Sequence, residues 1–108
     1  MSESKAATAA TYTCVCQNAN PLVAAKFRAF SSAGDKGKEI HLPPLGSGQL
    51  ALPDDTGNIV KIETTGGGGE WQSLGCFSPI NNGSTIKFDG LIVSVNGQPQ
   101  VGKDCPND

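Results

Sequence analysis

Residues 20–30, Asn20-Pro21-Leu22-Val23-Ala24-Ala25-Lys26-Phe27-Arg28-Ala29-Phe30, carry two incompatible periodicities. Leu22, Val23, Phe27 and Phe30 recur at spacings that share one face of a helix. Val23, Ala25, Phe27 and Ala29 alternate as they would on a half-buried strand. The end signals favour the helix: Asn20 is a good N-cap, Pro21 suits the first helical position, and Gly34 can close a left-handed C-cap. A helix opening at Asn20-Pro21 is therefore expected, with the strand as the competing reading.

On either side the chain reads as β-structure. Thr11 to Cys16 alternates, which places Cys14 and Cys16 on one face of a strand. A bond between two cysteines so placed requires strained geometry, so each is expected to reach a distant partner. After Gly37 the candidate strands are Lys38 to Leu42, Gln49 to Leu52, Asn58 to Glu63, Glu70 to Phe77, Thr85 to Phe88 and Leu91 to Val95. Pro43-Pro44, Asp54-Asp55-Thr56-Gly57, the glycines at 66–69, Asn81-Asn82-Gly83 and Asp89-Gly90 punctuate them, and pairs of the Asn-Gly and Asp-Gly kind close hairpins. The expected fold class is α+β, one N-terminal helix packed on an antiparallel sheet and stapled by two disulfides. It forms one domain over 11–108, behind a flexible polar leader over 1–10.

Composition narrows the function. The chain has 108 residues, enough for one modest core, and 14 glycines and seven prolines that favour turns over long helices. Charged residues are 17% and net charge is −2 without a basic run, which argues against a duplex DNA or acidic membrane partner. No apolar segment approaches the length of a membrane span, and no hydrophobic signal core follows Met1. The four cysteines are an even count in a short chain, which suggests disulfides and an oxidising compartment. The expectation is a secreted, extracellular protein, seen as a mature chain behind an added methionine. Asn82-Gly83-Ser84 is a glycosylation acceptor triplet. No metal site is expected: Cys14 and Cys16 are too close for zinc-ligand spacing, and Cys76, Cys105 and His41 are scattered. No cofactor is expected either.

The order of these elements resembles a known family. Tyr12-Thr13-Cys14, then Asn20-Pro21 and the helix, then Glu39-Ile40-His41, then Ser78-Pro79 through Ser84-Thr85-Ile86-Lys87-Phe88, then Leu91 to Val95 and Cys105, is similar to the small secreted fungal guanyl-specific ribonucleases and ribotoxins. The likeness covers roughly residues 11–105. It implies a ribonuclease-like fold with bonds Cys14–Cys105 and Cys16–Cys76. It also implies a catalytically degenerate member, because the general acid's place falls at Ser94, the phosphate-binding arginine's at Thr85 and the base's near Val60. One positioned acid or base is worth about 10²–10⁴ in rate, and phosphate-stabilising charge is another large term. Only His41 persists, with Glu39 where the family has a tyrosine.

Candidate site residues follow from both readings. His41 is either a surviving catalytic or phosphate-contacting group or a satisfied structural residue. Glu63 and Glu70 are residual candidates for a base. Trp71 is either core or an anchor for a partner. The glycines at 66–69 lack the pattern of a phosphate-binding loop and read as a hairpin loop. Asp54-Asp55 reads as a turn rather than a calcium site. Ser31, Ser73 and Ser94 have one histidine among them, too few for hydrolase triads. The resulting expectation is a non-catalytic, monomeric, effector-like fungal protein that binds a host protein or RNA through His41, Trp71, Glu39 and the loops at 43–48 and 64–69. An active ribonuclease using His41 with a glutamate is the first alternative. A structural or antimicrobial secreted protein is the second, and net charge disfavours it.

Overall fold

The competing periodicities at 20–30 resolve in favour of the strand. The structure, a computed structural model, describes residues 11–65 and 69–106. Ala25, Phe27 and Ala29 point into the core with no exposed surface, and Lys26 and Arg28 point outward. The helix-face residue Leu22 is 84% exposed instead. The end signals are real but local. The Asn20 side-chain oxygen accepts from the backbone N–H groups of Leu22 (2.7 Å) and Val23 (3.1 Å), as an N-cap would, and the chain then leaves as a strand. Gly34 has φ +94°, but the turn it serves joins two strands. The α+β expectation is thus overturned: among the described residues there is no helix, and the protein is all-β.

Nine strands are described: β1 (Tyr12–Asn18), β2 (Ala25–Phe30), β3 (Lys36–Leu42), β4 (Ser47–Leu52), β5 (Asn58–Thr65), β6 (Trp71–Ile80), β7 (Thr85–Phe88), β8 (Val93–Val95) and β9 (Gln98–Gln100). They form a five-stranded sheet ordered β4-β1-β7-β8-β9 and a four-stranded sheet ordered β3-β2-β5-β6. All pairings are antiparallel except β1 with β7. The inward faces close on a single core. Cys14, Cys16, Leu50, Ile86 and Phe88 come from the first sheet, and Phe27, Val60, Ile62, Phe77 and Ile80 from the second. This is two-layer sheet-on-sheet packing, with residues alternating between core and surface along each strand.

Buried asparagines hold the crossings between the layers. Asn18 donates to the carbonyls of Val23 (2.8 Å) and Pro43 (3.1 Å) and accepts from Asn20 N–H (3.2 Å). Asn58 donates to the Asp54 (2.8 Å) and Ile80 (3.0 Å) carbonyls and accepts from Asp54 N–H (3.1 Å), so Asp54-Asp55 is a turn, as expected. A buried amide satisfied in this way fixes the backbone it touches. Ser78-Pro79, one of the segments that carry the ribonuclease-like resemblance, lies inside β6 with a cis bond. As an edge strand of its sheet, β6 tolerates a missing N–H.

The disulfide pattern is also corrected. Cys76 bonds Cys105, 29 residues on, and Cys14 and Cys16 remain thiols. Sidedness explains this. As expected, Cys14 and Cys16 share a face of β1, but that face is the core, with their sulfurs 3.9 Å apart. The weak hydrogen bond between the two thiols, together with burial, pushes the Cys16 thiol up. Cys76 sits on the edge strand β6, where the returning tail pairs with it through Lys103, whose N–H and carbonyl each bond Cys76 at 2.8 Å. There the chain closes very tightly, since a Cβ on Gly102 would collide with the Leu74 carbonyl. The 1–10 leader and glycines 66–68 lie outside the described residues, as do positions 107–108.

A loop of this length contributes on the order of 3.5 kcal/mol on a chain-entropy model. Non-reducing peptide mapping should return a Cys76–Cys105 peptide, with Cys14 and Cys16 alkylated only after denaturation. A Cys14–Cys105 or Cys16–Cys76 peptide would overturn the assignment.

Candidate functional site

The strand register that builds the core also builds a polar surface on the opposite side of the same sheet. In the second sheet Lys26 stands opposite His41 on β3 and Glu63 on β5, and Arg28 stands opposite Glu39 and Lys61. Side chains two apart on a strand share a face, so all six point away from the core. The expected site residues His41, Glu39, Glu63 and Trp71 therefore meet on one face, joined by three cations that the sequence reading passed over.

The contacts form two linked groups. Glu39 accepts from the Arg28 guanidinium at 3.1 and 3.2 Å and bonds the His41 Nε2 at 2.8 Å, and Arg28 also donates to the Gly37 carbonyl at 2.8 Å. Glu63 pairs with Lys26 at 3.5 Å and Lys61 at 4.0 Å. Trp71 ties the groups together. It starts from β6, at the far edge of the sheet from His41, and its ring lies with the Lys26 ammonium 4.4 Å from the centroid and the His41 ring edge-on at 5.8 Å. Cation–ring contact of this kind strengthens as the cation is desolvated, and Lys26 is only 18% exposed. Trp71 itself keeps 38% of its surface in solvent.

Burial opposes ionisation of Glu39. The His41 bond and the nearby charges of Arg28 and Lys26 outweigh it and hold the carboxyl below its usual value. His41 therefore faces a carboxylate that stays ionised, an arrangement that orients the ring. Glu63 lies two strands away with Lys26 between, and Glu70 is exposed just before Trp71. Neither is bonded to His41, whose contacts among the described residues are Glu39 and Trp71. The positions that the ribonuclease-like reading assigns to catalysis do not converge. Ser94 and Thr85 lie on the first sheet, His41 on the second, and Val60 is buried in the core. Asn82 is exposed, and its side-chain oxygen accepts from Thr13 N–H at 3.1 Å. Of the expected loops, Leu45 at the 43–48 turn is exposed and 66–68 lies outside the described residues.

A second surface escaped the sequence reading. Leu91 and Val101 are 95% and 86% exposed and, with Ile92, rim a groove of about 410 Å³ floored by Leu74, Phe77 and Val93. The Asp89 carboxylate accepts from Leu91 N–H (3.0 Å) and Ile92 N–H (2.8 Å), which fixes the turn that displays them. These bonds hold Asp89 below its usual value. The missed signal was in the run Leu91-Ile92-Val93: one strand cannot bury three consecutive apolar residues on a single face.

Compared with known protein families, characterised proteins and solved structures, the chain finds no match.

Glu39 gives a pH prediction. Its folded-state value lies below the unfolded one, about 4.3, so its stabilisation is complete above that pH and is lost as acid protonates the folded state. Glu39→Gln should be less stable than the parent at neutral pH, by about 1 kcal/mol or less for a partly exposed network. Urea unfolding midpoints measured from pH 7 to 3 should converge below about pH 4. A gap that is constant across the range would refute the assignment.

Proposed function

We propose that this is a non-catalytic recognition protein that works outside the cell and binds its partner on the outer face of the β3-β2-β5-β6 sheet. The observation that carries this reading is the placement of Trp71: a large aromatic held over Lys26 and beside His41, yet more than a third exposed. A ring fixed in place by its neighbours and still open to solvent loses little freedom on binding, and such residues dominate binding energetics. The extracellular setting is supported by the Cys76–Cys105 bond, which persists in oxidising compartments.

The non-catalytic reading is supported by the dyad itself. Glu39 orients His41 as a carboxylate orients a general base, but the ring's other contact is edge-on with Trp71, whose indole N–H does not exchange a proton as an acid or base at neutral pH. Acid–base catalysis on RNA requires a second positioned group across from the first. The expectation of a host protein or RNA as partner, and the effector role joined to it, were tied to a ribonuclease-like fold that the all-β sandwich does not have. The chemistry of the face is the better guide to the partner.

A guanosine-containing dinucleotide incubated with the full chain should show cleavage no faster than buffer, and His41→Ala should not change it. Turnover that His41→Ala abolishes would overturn this reading in favour of an enzyme.

A further inference from the structure

Three features of the outer face bear on what it binds. The first is its supply of cations. Lys26, Arg28 and Lys61 are each engaged by a carboxylate of the same face, Arg28 by Glu39 and the two lysines by Glu63. A polyanion such as RNA is held by many cations that neutralise its phosphates, and this face offers three, each already facing a carboxylate.

The second is the state of those charges. They are joined to one another by the Arg28–Glu39–His41 and Lys26–Glu63–Lys61 contacts, and the side chains of Lys26, Lys61, Glu39 and Glu63 are only 17–24% exposed. A protein partner would have to bury this network completely, and desolvating paired charges often offsets their attraction. Protein interfaces are accordingly depleted of charge at their centres. A ligand that brings its own hydroxyl groups avoids that loss. Guanidinium and ammonium groups carry several donors and carboxylates several acceptor sites, so one bonded pair can still bond hydroxyls at its margin. Such contacts replace water with a group of like geometry rather than stripping the charges bare.

The third is Trp71. The Lys26 ammonium lies over the ring at 4.4 Å, and Trp71 still keeps 38% of its surface open to a ligand. An aromatic platform beside a rim of donors and acceptors suits a flat ligand, apolar on its faces and polar at its edges. A pyranose ring has that form: axial C–H groups on its faces and hydroxyls round its rim.

We propose that the outer face of this sheet binds a neutral oligosaccharide, one sugar ring stacking on Trp71 with its hydroxyls bonded to Glu39, Arg28 and His41. This deepens the recognition reading and rests on it.

Trp71 is the only tryptophan in the chain, so its fluorescence reports on the site directly. The full chain should be titrated with the neutral hexaoses of cellulose, xylan, laminarin and chitin, and for comparison with hexagalacturonate and a single-stranded RNA. At least one neutral hexaose should give a saturable shift, with hexagalacturonate and RNA at least about tenfold weaker. By calorimetry, Trp71→Ala should weaken that binding about tenfold or more, the effect of losing an aromatic anchor. Arg28→Lys, which keeps the charge but not the fork of donors, should weaken it by a smaller factor, with its unfolding transition retained. Trp71-dependent binding of RNA, hexagalacturonate or a protein, without any neutral hexaose, would overturn this inference and leave the recognition reading in place. A protein on which no ligand of any class depends on Trp71 would overturn both.

Discussion

Strand β2 carries the constraint on which everything else hangs. Ala25, Phe27 and Ala29 face inward with no exposed surface, and Lys26 and Arg28, the residues between them, face outward into the ionic network. Because side chains alternate strictly, these two sets cannot be chosen independently. A slip of one residue would bring two cations into the core and expose a phenylalanine. The central position of β2, paired with β3 on one side and β5 on the other, passes the same register to Glu39 and His41 and to Lys61 and Glu63. Core and candidate site are two sides of one register.

The remaining stabilisation is spent on closing the layers. The chain crosses between the sheets repeatedly, and each crossing exposes carbonyls and N–H groups that no ladder satisfies. Asn18 and Asn58 meet these from inside, with five bonds of 2.8 to 3.2 Å to backbone at the crossings and one of 3.0 Å to the Ile80 carbonyl in β6. On the side where β6 and β9 leave the sandwich open, the tail pairs with Cys76 and the disulfide fastens it. The apolar groove under Leu91 and Val101 lies along this same seam. Its walls come from segments joined by the tail rather than by a continuous sheet.

What the sequence discloses here depends on the range of the interaction responsible. Thr85 to Phe88 is read with its full extent, and every other expected strand has a counterpart, because alternation and turn residues are local signals. The helix at 20–34 is misread for the same reason. Asn20, Pro21 and Gly34 describe their own immediate backbone correctly, but what decides the element is that β3 and β5 wait on both sides to pair with β2. The cysteines err similarly. That Cys14 and Cys16 share a face is local, but that the face is the core, far from the edge where Cys76 sits, is not. Site residues were legible by type, since a lone histidine and a lone tryptophan in a charge-poor chain invite notice. Their convergence was not legible, because Trp71 and His41 belong to opposite edge strands and meet only through the reach of the indole across the sheet.

The edges of the two sheets bear on why a face, rather than an edge, should do the binding. An unpaired strand edge offers a row of backbone groups to any extended chain, and proteins blunt such edges with charge, proline, bulges or cover. Each device is present. β3 carries Lys36 and Lys38. The register of β6 against β5 is broken twice, and β6 also contains Pro79 and is covered by Lys103. β9 is three residues long with Pro99 at its centre. Strand addition by a partner is thus opposed at these three edges. The outer face of the second sheet has no such protection, and Trp71 stands on it in an orientation that Lys26 and His41 hold in advance. A pre-set ring on a plane of paired charges is a poor aggregation seed and a good platform, because one apolar ring rimmed by ions gains little from meeting its own copy. It gains from a ligand that offers an apolar face to the ring and hydroxyls to the ions at once.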